Sequence, residues 1–456
     1  MDRPEPSGSA GSEPAKGPGA GSLYALLLVA VVAAILSGRL FHVLNKYAVN
    51  MFFWDEWDFR TPQFQGASLW RIFTWQHGPP RLGIGFVVDT LVNRLTRWDS
   101  RGTAFLEGAV MVAAMLSALW LKRRLFGDFA ASDVVIPVIV LTLGPCLAFT
   151  TTPIVAHGPF PLFLTMLFCL AWTIRNLYWR YGLVLLVNFL LIYTGFGTFV
   201  GFITPVLFAV EIFHGRRERG WLAPAAALAI SLLSLGAFFI GYQVAPAAGC
   251  LVFSWMPLLH YLWFAGLVFS TVFFLGGHSL FPSLVGLAAL LLALLICGWC
   301  VYQFLRRRGD PAYQIVGITI TGSSLLFAIN AAVGRLCHGI EGAHAARYIP
   351  YVMPAFIGIY FSLLSLRGLW TRRALVAIFT VVVLAGAVPF SRQERRGLVS
   401  MHGLKTAWKD CYLQTGSIDY CNSHTRFQIY PVPAATHLEQ KLEFLKAHRL
   451  NLFNGD

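Results

Sequence analysis

The chain has 456 residues, of which 57% are hydrophobic and only 12% charged, and it carries a formal net charge of +14. A soluble domain carries about 25% charged residues, so this composition excludes one. The Lys and Arg residues fall in short clusters between apolar blocks, a pattern that orients membrane proteins; with no recognition motif, nucleic acid is not an expected partner.

Met1–Ser22 is mostly Gly, Pro, Ser, Ala and Glu and predicts a disordered leader. It is not a signal peptide, because the apolar segment comes late and the first residues are not basic. Leu23–Leu36 opens a series of nearly charge-free blocks that continues with Gly102–Leu121, Val134–Thr150, Trp221–Tyr242, Leu280–Leu305 and Ala374–Val388. A spanning helix takes about 17–25 such residues. Backbone groups in lipid have no water to bond, so the blocks are expected to be helical. The short alternating strands of a barrel are not seen.

Four basic clusters separate the blocks: Lys122-Arg123-Arg124, Arg216-Arg217-Glu218-Arg219, Arg306-Arg307-Arg308, and Arg367 with Arg372-Arg373. Placing them with the leader on the cytoplasmic side puts Asn45–Arg81, Thr150–Gly158, Gly334–Arg347 and the tail after Pro389 outside, and about eleven spans satisfy this. Leu82–Trp98 is short and carries Asp89, Asn93, Arg94 and Arg97; it reads as an interfacial amphipathic helix or a short span. Pro257–Leu275 is apolar enough to cross, but crossing would move Arg306–Arg308 to the wrong face, so a re-entrant or interfacial segment is expected. From residue 390 to 456 the chain is polar, and Ala434–Leu450 has helical periodicity with Leu438, Leu442, Leu445 and His448 near one face. The expected fold is therefore all-α: a polytopic transmembrane bundle over 23–389 with a large first outer loop, 45–81, a cytoplasmic leader, 1–22, and a small extracytoplasmic cap, 390–456. No internal repeat supports an inverted-repeat transporter.

Cys146, Cys169, Cys297 and Cys300 lie in apolar blocks and act there as small hydrophobes. Cys411 and Cys421 lie in the polar tail. They form a disulfide if the tail faces an oxidising compartment and stay free thiols otherwise.

Four outer-face segments carry chemical groups. Phe53-Trp54-Asp55-Glu56-Trp57-Asp58-Phe59 sets three carboxylates among aromatics beside a span. Crowded acids near apolar rings have raised pKa values suited to general-base work or cation binding; the alternative is an aromatic belt with solvated acids. Trp75-Gln76-His77-Gly78-Pro79-Pro80-Arg81 offers a proton carrier in His77 and an anion fork in Arg81, unless Arg81 only anchors headgroups. Thr151–Pro159 carries His157, a candidate ligand group or a satisfied interfacial histidine. Gly334–Tyr348 holds Arg335, His338, Glu341, His344, Arg347 and Tyr348. Its arginines suit a phosphate, or else snorkel from a solvated loop. His338 and His344 match no standard zinc spacing.

These motifs resemble the GT-C superfamily of polytopic glycosyltransferases, which use polyprenyl-phosphate sugars as donors. The likeness rests on the acidic Asp55-Glu56 and Asp58, on His77-Gly78-Pro79-Pro80-Arg81, and on the later span ending Lys122-Arg123-Arg124-Leu125-Phe126-Gly127. Bacterial GT-C-like proteins are similar also in a Trp-x-Asp-Glu-Trp-Asp loop (Trp54–Asp58), a late Gly-Arg to Arg-Tyr segment (Gly334–Tyr348) and a C-terminal cap ending Leu-x-Leu-Phe (Leu450–Phe453). Related loops often read Asn-Glu-His-Arg where this one reads Gln76–Arg81, a departure that touches His77.

The resemblance implies an inverting transfer on the outer face of the inner (plasma) membrane, to a glycolipid or envelope-polysaccharide acceptor. It implies Asp55 or Asp58 as base, Glu56 as its neighbour, and Arg347 with Tyr348 at the lipid phosphate. His77, Arg81, His157, Arg335, His338 and Glu341 are the further candidate substrate contacts. No cofactor is demanded by the sequence, and a divalent cation stays open. Two rival readings are a transporter or flippase of an anionic lipid-linked substrate and a non-catalytic membrane assembly protein.

Overall fold

The computed structural model describes residues 20–215, 220–244, 258–274, 279–431 and 435–454. The leader residues 1–19 and the cluster Arg216–Arg219 lie outside these. Among the described residues the chain is helical, with one isolated bridge, Gln76 to Arg81, and no strand. Seven helices are long and apolar enough to cross a membrane: Ser22–Tyr47, Ser100–Phe126, Gly195–His214, Leu280–Leu305, Pro311–His338, Ala346–Leu364 and one within Leu369–Thr415. Shorter apolar helices are Ala131–Val140, Pro159–Trp172, Leu177–Ile192, Leu222–Phe238 and Leu258–Phe273. Large side chains such as Leu284, Leu291 and Leu295 stand exposed along these helices, a surface that only a hydrocarbon solvent favours. The protein is an α-helical membrane protein.

Polar residues begin several helices where the backbone N–H groups have no partner. Asp99 accepts from Arg101 N at 2.9 Å, Asn176 from Tyr178 and Trp179 N at 3.1 Å each, and Asp310 from Ala312 N at 2.9 Å.

The bundle has two chemically distinct ends. At one, Lys122 pairs with Asp133 at 2.8 Å, Tyr360 donates to Asp133 at 2.6 Å, Arg124 donates to Thr173 O at 2.8 Å, and Tyr313 donates to Ser365 at 3.2 Å. His214 meets Leu305, beside Arg306–Arg308, at the same end. We call this the basic face. The opposite face carries the C-terminal residues.

Several expectations are refined. Val134–Thr150 is not one helix but two, Val135–Val140 and Cys146–Thr151. Pro145 lacks an N–H, and a Cβ on Gly144 would lie 2.6 Å from Ile349, so this backbone is pressed against a neighbour. Leu82–Trp98 contains the helix Gly83–Leu95, whose 13 residues reach only about 20 Å, short of the roughly 30 Å hydrocarbon. Its Asp89, Thr90 and Asn93 are buried. Within Pro257–Leu275, the middle of the helix Leu258–Ser270 and the turn after it both meet opposite-face elements: Phe264 lies against Gly342, and Phe274 against Phe390 at 6.2 Å.

The C-terminal region holds more helix than periodicity shows: Arg392–Thr415, Ile418–Thr425 and Leu438–Ala447. Ser391 caps the first by accepting from Glu394 N at 3.1 Å, and Gly416 ends it at φ 66°. Cys411 and Cys421 are disulfide-bonded, with Cα atoms 5.8 Å apart. Leu438, Leu442 and Leu445 are buried; His448 is exposed and packs on Phe444, because it falls just beyond the helix end.

Asn451 ties this region to the rest. It is fully buried; its Nδ2 donates to Trp98 O at 2.7 Å, to Ser100 Oγ at 3.1 Å and to Asn50 Oδ1 at 3.2 Å, while Asn50 Nδ2 donates to Asn451 O at 2.7 Å. Asn451 Oδ1 also accepts from Phe52 N at 3.3 Å, so replacing Asn451 with Ala leaves the buried Phe52 N–H and the Trp98 carbonyl without these partners, whereas Asn50 keeps its bonds to the Asn451 carbonyl and to Ser100 N. Such an orphaned buried group costs about 1–3 kcal/mol. Asn451→Ala is therefore expected to lower thermal stability and to speed proteolysis of residues 392–454, read on gels.

Candidate functional site

The first loop is built by the C-terminal region as much as by itself. Phe53 stacks on Phe427 at 5.0 Å, Trp54 N donates to Ile429 O at 3.0 Å, and the Tyr430 hydroxyl donates to Asp58. Lys441 donates to Trp57 O at 2.6 Å and to Thr61 at 3.1 Å. These contacts hold Trp54 at φ 50°, a conformation that a bulky side chain rarely adopts. After it, Glu56–Phe59 forms a single helical turn.

That turn points its groups in different directions. Asp55 is exposed and Asp58 half-buried, whereas Glu56 is fully buried. Glu56 accepts from Phe53 N at 3.0 Å and lies 3.7 Å from Arg60. Burial pushes its carboxyl up to about 7, against the pull of Lys405 and Arg60.

Arg60 is itself fully buried. It donates to Asp89 at 2.8 Å, to Thr103 at 3.2 Å and to Gln63 at 3.2 Å, and its guanidinium sits over the Phe52 ring at 4.8 Å. Thr103 donates to Asp89 at 2.6 Å, and Asn93 to Asp89 at 2.9 Å. Glu107, on the helix Ser100–Phe126, accepts from Ile154 N at 2.9 Å and so holds the loop that carries His157. Lys405 comes from the C-terminal helix to donate to Thr151 O at 2.9 Å.

Two histidines lie between the acids and the late arginine. His77 packs edge-on to Phe59 at 5.9 Å. Burial lowers its pKa, while Asp55 and Asp58 pull it up. Burial also lowers His157 to about 3, with His77 and Arg347 pushing the same way. His157 is thus neutral at pH 7, and its Nε2 is buried with no hydrogen-bond partner among the described residues. Arg347 is exposed, lies over the Tyr348 ring at 5.7 Å, and has no hydrogen-bond partner among the described residues. Tyr348 is buried against Phe327 at 5.5 Å and serves as a shelf for it.

Glycine lets the loops meet here. Gly83 and Gly195 both have φ 54°, and a Cβ on Gly195 would collide with the Ala156 carbonyl beside His157.

The structure thus links Asp55, Asp58, His77, His157 and Arg347 at one face. Arg335, His338 and Glu341 occupy exposed positions on the same late segment. Arg81 is a correction to the expected anion fork. Its guanidinium is spent on backbone carbonyls, donating to Phe238 O at 3.0 Å, to Ile240 O at 2.7 Å and to Thr74 O, so it pins the first loop to the helix Leu222–Phe238. Glu56 is fully buried and turned toward Phe53 N and Arg60, away from solvent.

Arg60, Glu107, Lys405 and Tyr430 were not singled out from sequence, and Asp89 only as a charge of the short segment Leu82–Trp98. Two signals existed: Arg60 stands four residues after Glu56 on one helical turn, and Glu107 is the one acid in the block Gly102–Leu121. Among the described residues, no group of three or more His, Cys, Asp or Glu is arranged to hold a metal ion.

No protein-family model, curated protein or solved structure matches the chain.

Glu56 gives a pH test. Its folded pKa lies above its ordinary value, near 4.5, so its contribution to stability is present below pH 4.5 and is lost as pH rises through about 7. Glu56→Gln removes this dependence. The melting temperature of the variant minus that of the wild type is expected to climb between pH 5 and about 8. A flat difference would show that Glu56 does not carry a raised pKa.

Proposed function

We propose that this protein is an integral membrane glycosyltransferase that moves a sugar from a polyprenyl-phosphate carrier to a glycolipid or polysaccharide acceptor. One observation carries the reading. A solvent-facing carboxylate and an unpaired arginine share one face, joined through two histidines whose imidazolium forms are disfavoured.

Each group then has a task. Asp55, the exposed acid with no side-chain hydrogen bond among the described residues, takes the proton from the acceptor hydroxyl. The acceptor oxygen attacks the anomeric carbon, the bond to the lipid phosphate breaks, and the configuration inverts. Arg347, steadied by Tyr348, neutralises the departing phosphate, a pull strengthened in a poorly hydrated setting. Asp58 is held by Tyr430 and orders the loop. His77 and His157, being neutral, offer hydrogen bonds to sugar hydroxyls without repelling Arg347. A divalent cation, if one is used, would add positive charge at the donor phosphate beside Arg347, and loss of activity on chelation would reveal it.

The orientation follows from charge and redox chemistry. The basic face is cytoplasmic by the distribution of Lys and Arg. The opposite face bears the Cys411–Cys421 disulfide and the disulfide-bonded Cys337, which suits an oxidising compartment. Eleven passes result when the seven long helices are joined by Pro159–Trp172, Leu177–Ile192, Leu222–Phe238 and one broken pass made of Ala131–Val140 followed by Cys146–Thr151. The C-terminal unit then stands outside the inner membrane as a cap.

In proteoliposomes, transfer of labelled sugar from a polyprenyl-phosphate donor should fall about 10²–10⁴-fold in Asp55→Asn, the range for losing a general base. Arg347→Gln should lose comparably, while Arg81→Gln should lose stability before rate. Full transfer by a folded Asp55→Asn would end the mechanism. Movement of donor across the bilayer without sugar transfer would favour a transporter.

Topology is tested by single cysteines. An impermeant thiol reagent should label His424→Cys in intact cells and Arg308→Cys only after permeabilisation. The reverse pattern would invert the assignment.

A further inference from the structure

Away from this site, at the basic face, a groove of about 500 Å³ runs between the first helix, Ala20–Tyr47, and the helix Ser100–Phe126. Its volume is that of a small-molecule site. Val29, Ala33, Ser37 and Met115 line it in the membrane, and Trp120 and Arg123 stand at its basic end. The small side chains of Ala33 and Ser37 keep the two helices from filling the gap. Trp120 is 62% exposed, as a headgroup-level tryptophan is.

The three cations that end the helix Ser100–Phe126 are not equivalent. Lys122 is buried and bound to Asp133 at 2.8 Å. Arg124 is spent on Thr173, on its carbonyl at 2.8 Å and its hydroxyl at 3.3 Å. Arg123 alone of the three lines the groove, is exposed, and has no hydrogen-bond or ion-pair partner among the described residues. An unpaired guanidinium at a membrane edge, above an apolar slot, presents the two halves of a lipid-binding site in the right order: charge at the rim and hydrocarbon below.

We infer that this groove holds one acyl chain of an anionic glycerophospholipid, whose phosphate binds Arg123. The lipid belongs to the leaflet at the basic face, so the site is separate from the transfer chemistry and does not depend on it. The chain lies along Val29, Ala33 and Met115. Arg123 selects the headgroup, because a zwitterionic lipid places a competing ammonium beside its phosphate.

The full-length protein, released from nanodiscs of equimolar phosphatidylglycerol and phosphatidylcholine, is weighed intact by native mass spectrometry. Phosphatidylglycerol adducts should outnumber phosphatidylcholine adducts about fivefold, the share one basic residue contributes at an anionic surface. Arg123→Gln should bring the ratio to about one. Arg124→Gln should leave the preference in place. Ala33→Leu, which fills the slot, should reduce adducts of both lipids. An unchanged preference in Arg123→Gln, or an equal loss in Arg124→Gln, overturns the proposal. Absence of adducts with the protein as a dimer also overturns it, and assigns the groove to a second copy.

Discussion

A guanidinium with no access to water is the constraint around which the loop face is organised. Arg60 is fully buried, and burying an unpaired charge is prohibitive, so Asp89 must stand beside it, at 2.8 Å, with Glu56 next to the pair at 3.7 Å. That requirement joins three pieces of chain. Glu56 and Arg60 come from the first loop, Asp89 from the short helix Gly83–Leu95, and Thr103 from the helix Ser100–Phe126. One turn further along that helix, Glu107 reaches Ile154 and brings the His157 loop into the same assembly. These loops are cross-braced by buried polar and charged groups.

The C-terminal unit completes the brace from above. Phe427, Ile429 and Tyr430 lie against Phe53, Trp54 and Asp58, and Lys405 and Lys441 bond carbonyls of Thr151 and Trp57. Both lysines end on backbone oxygens at the ends of short helices, where a cation is favoured by the exposed carbonyls. The strained backbone at Trp54 persists because the Ile429 carbonyl and the Phe53–Phe427 stack over-determine it. The exposed Asp55 is thereby presented on a rigid edge.

The electrostatics divide by depth. The deep Asp89 balances Arg60 and the deep Glu56 is held with a raised pKa, while the shallow Asp55 faces outward. The same division separates Arg81, consumed by carbonyls, from Arg347, which is not. Residues of one type in neighbouring loops thus take opposite roles, and only their surroundings distinguish them.

Membrane character, helical class and the two faces were legible in the sequence because they are sums over many residues. Low charge, long apolar blocks and clustered Lys and Arg each report a transfer energy between water and hydrocarbon, which does not depend on who packs against whom. The acidic loop and the late Arg-Tyr pair were legible as motifs for the same reason, since charge at a membrane edge stands out locally. Tertiary structure alone decided which of these groups are available. It buried Glu56 and spent Arg81, recruited Arg60, Asp89 and Glu107, and carried Asn451 to Asn50 and Ser100. The break in Val134–Thr150 was decided there too, by the close approach of Ile349 to Gly144. The reason is physical: burial and hydrogen bonding are pairwise properties of distant residues, and a linear pattern records composition and period, not partners.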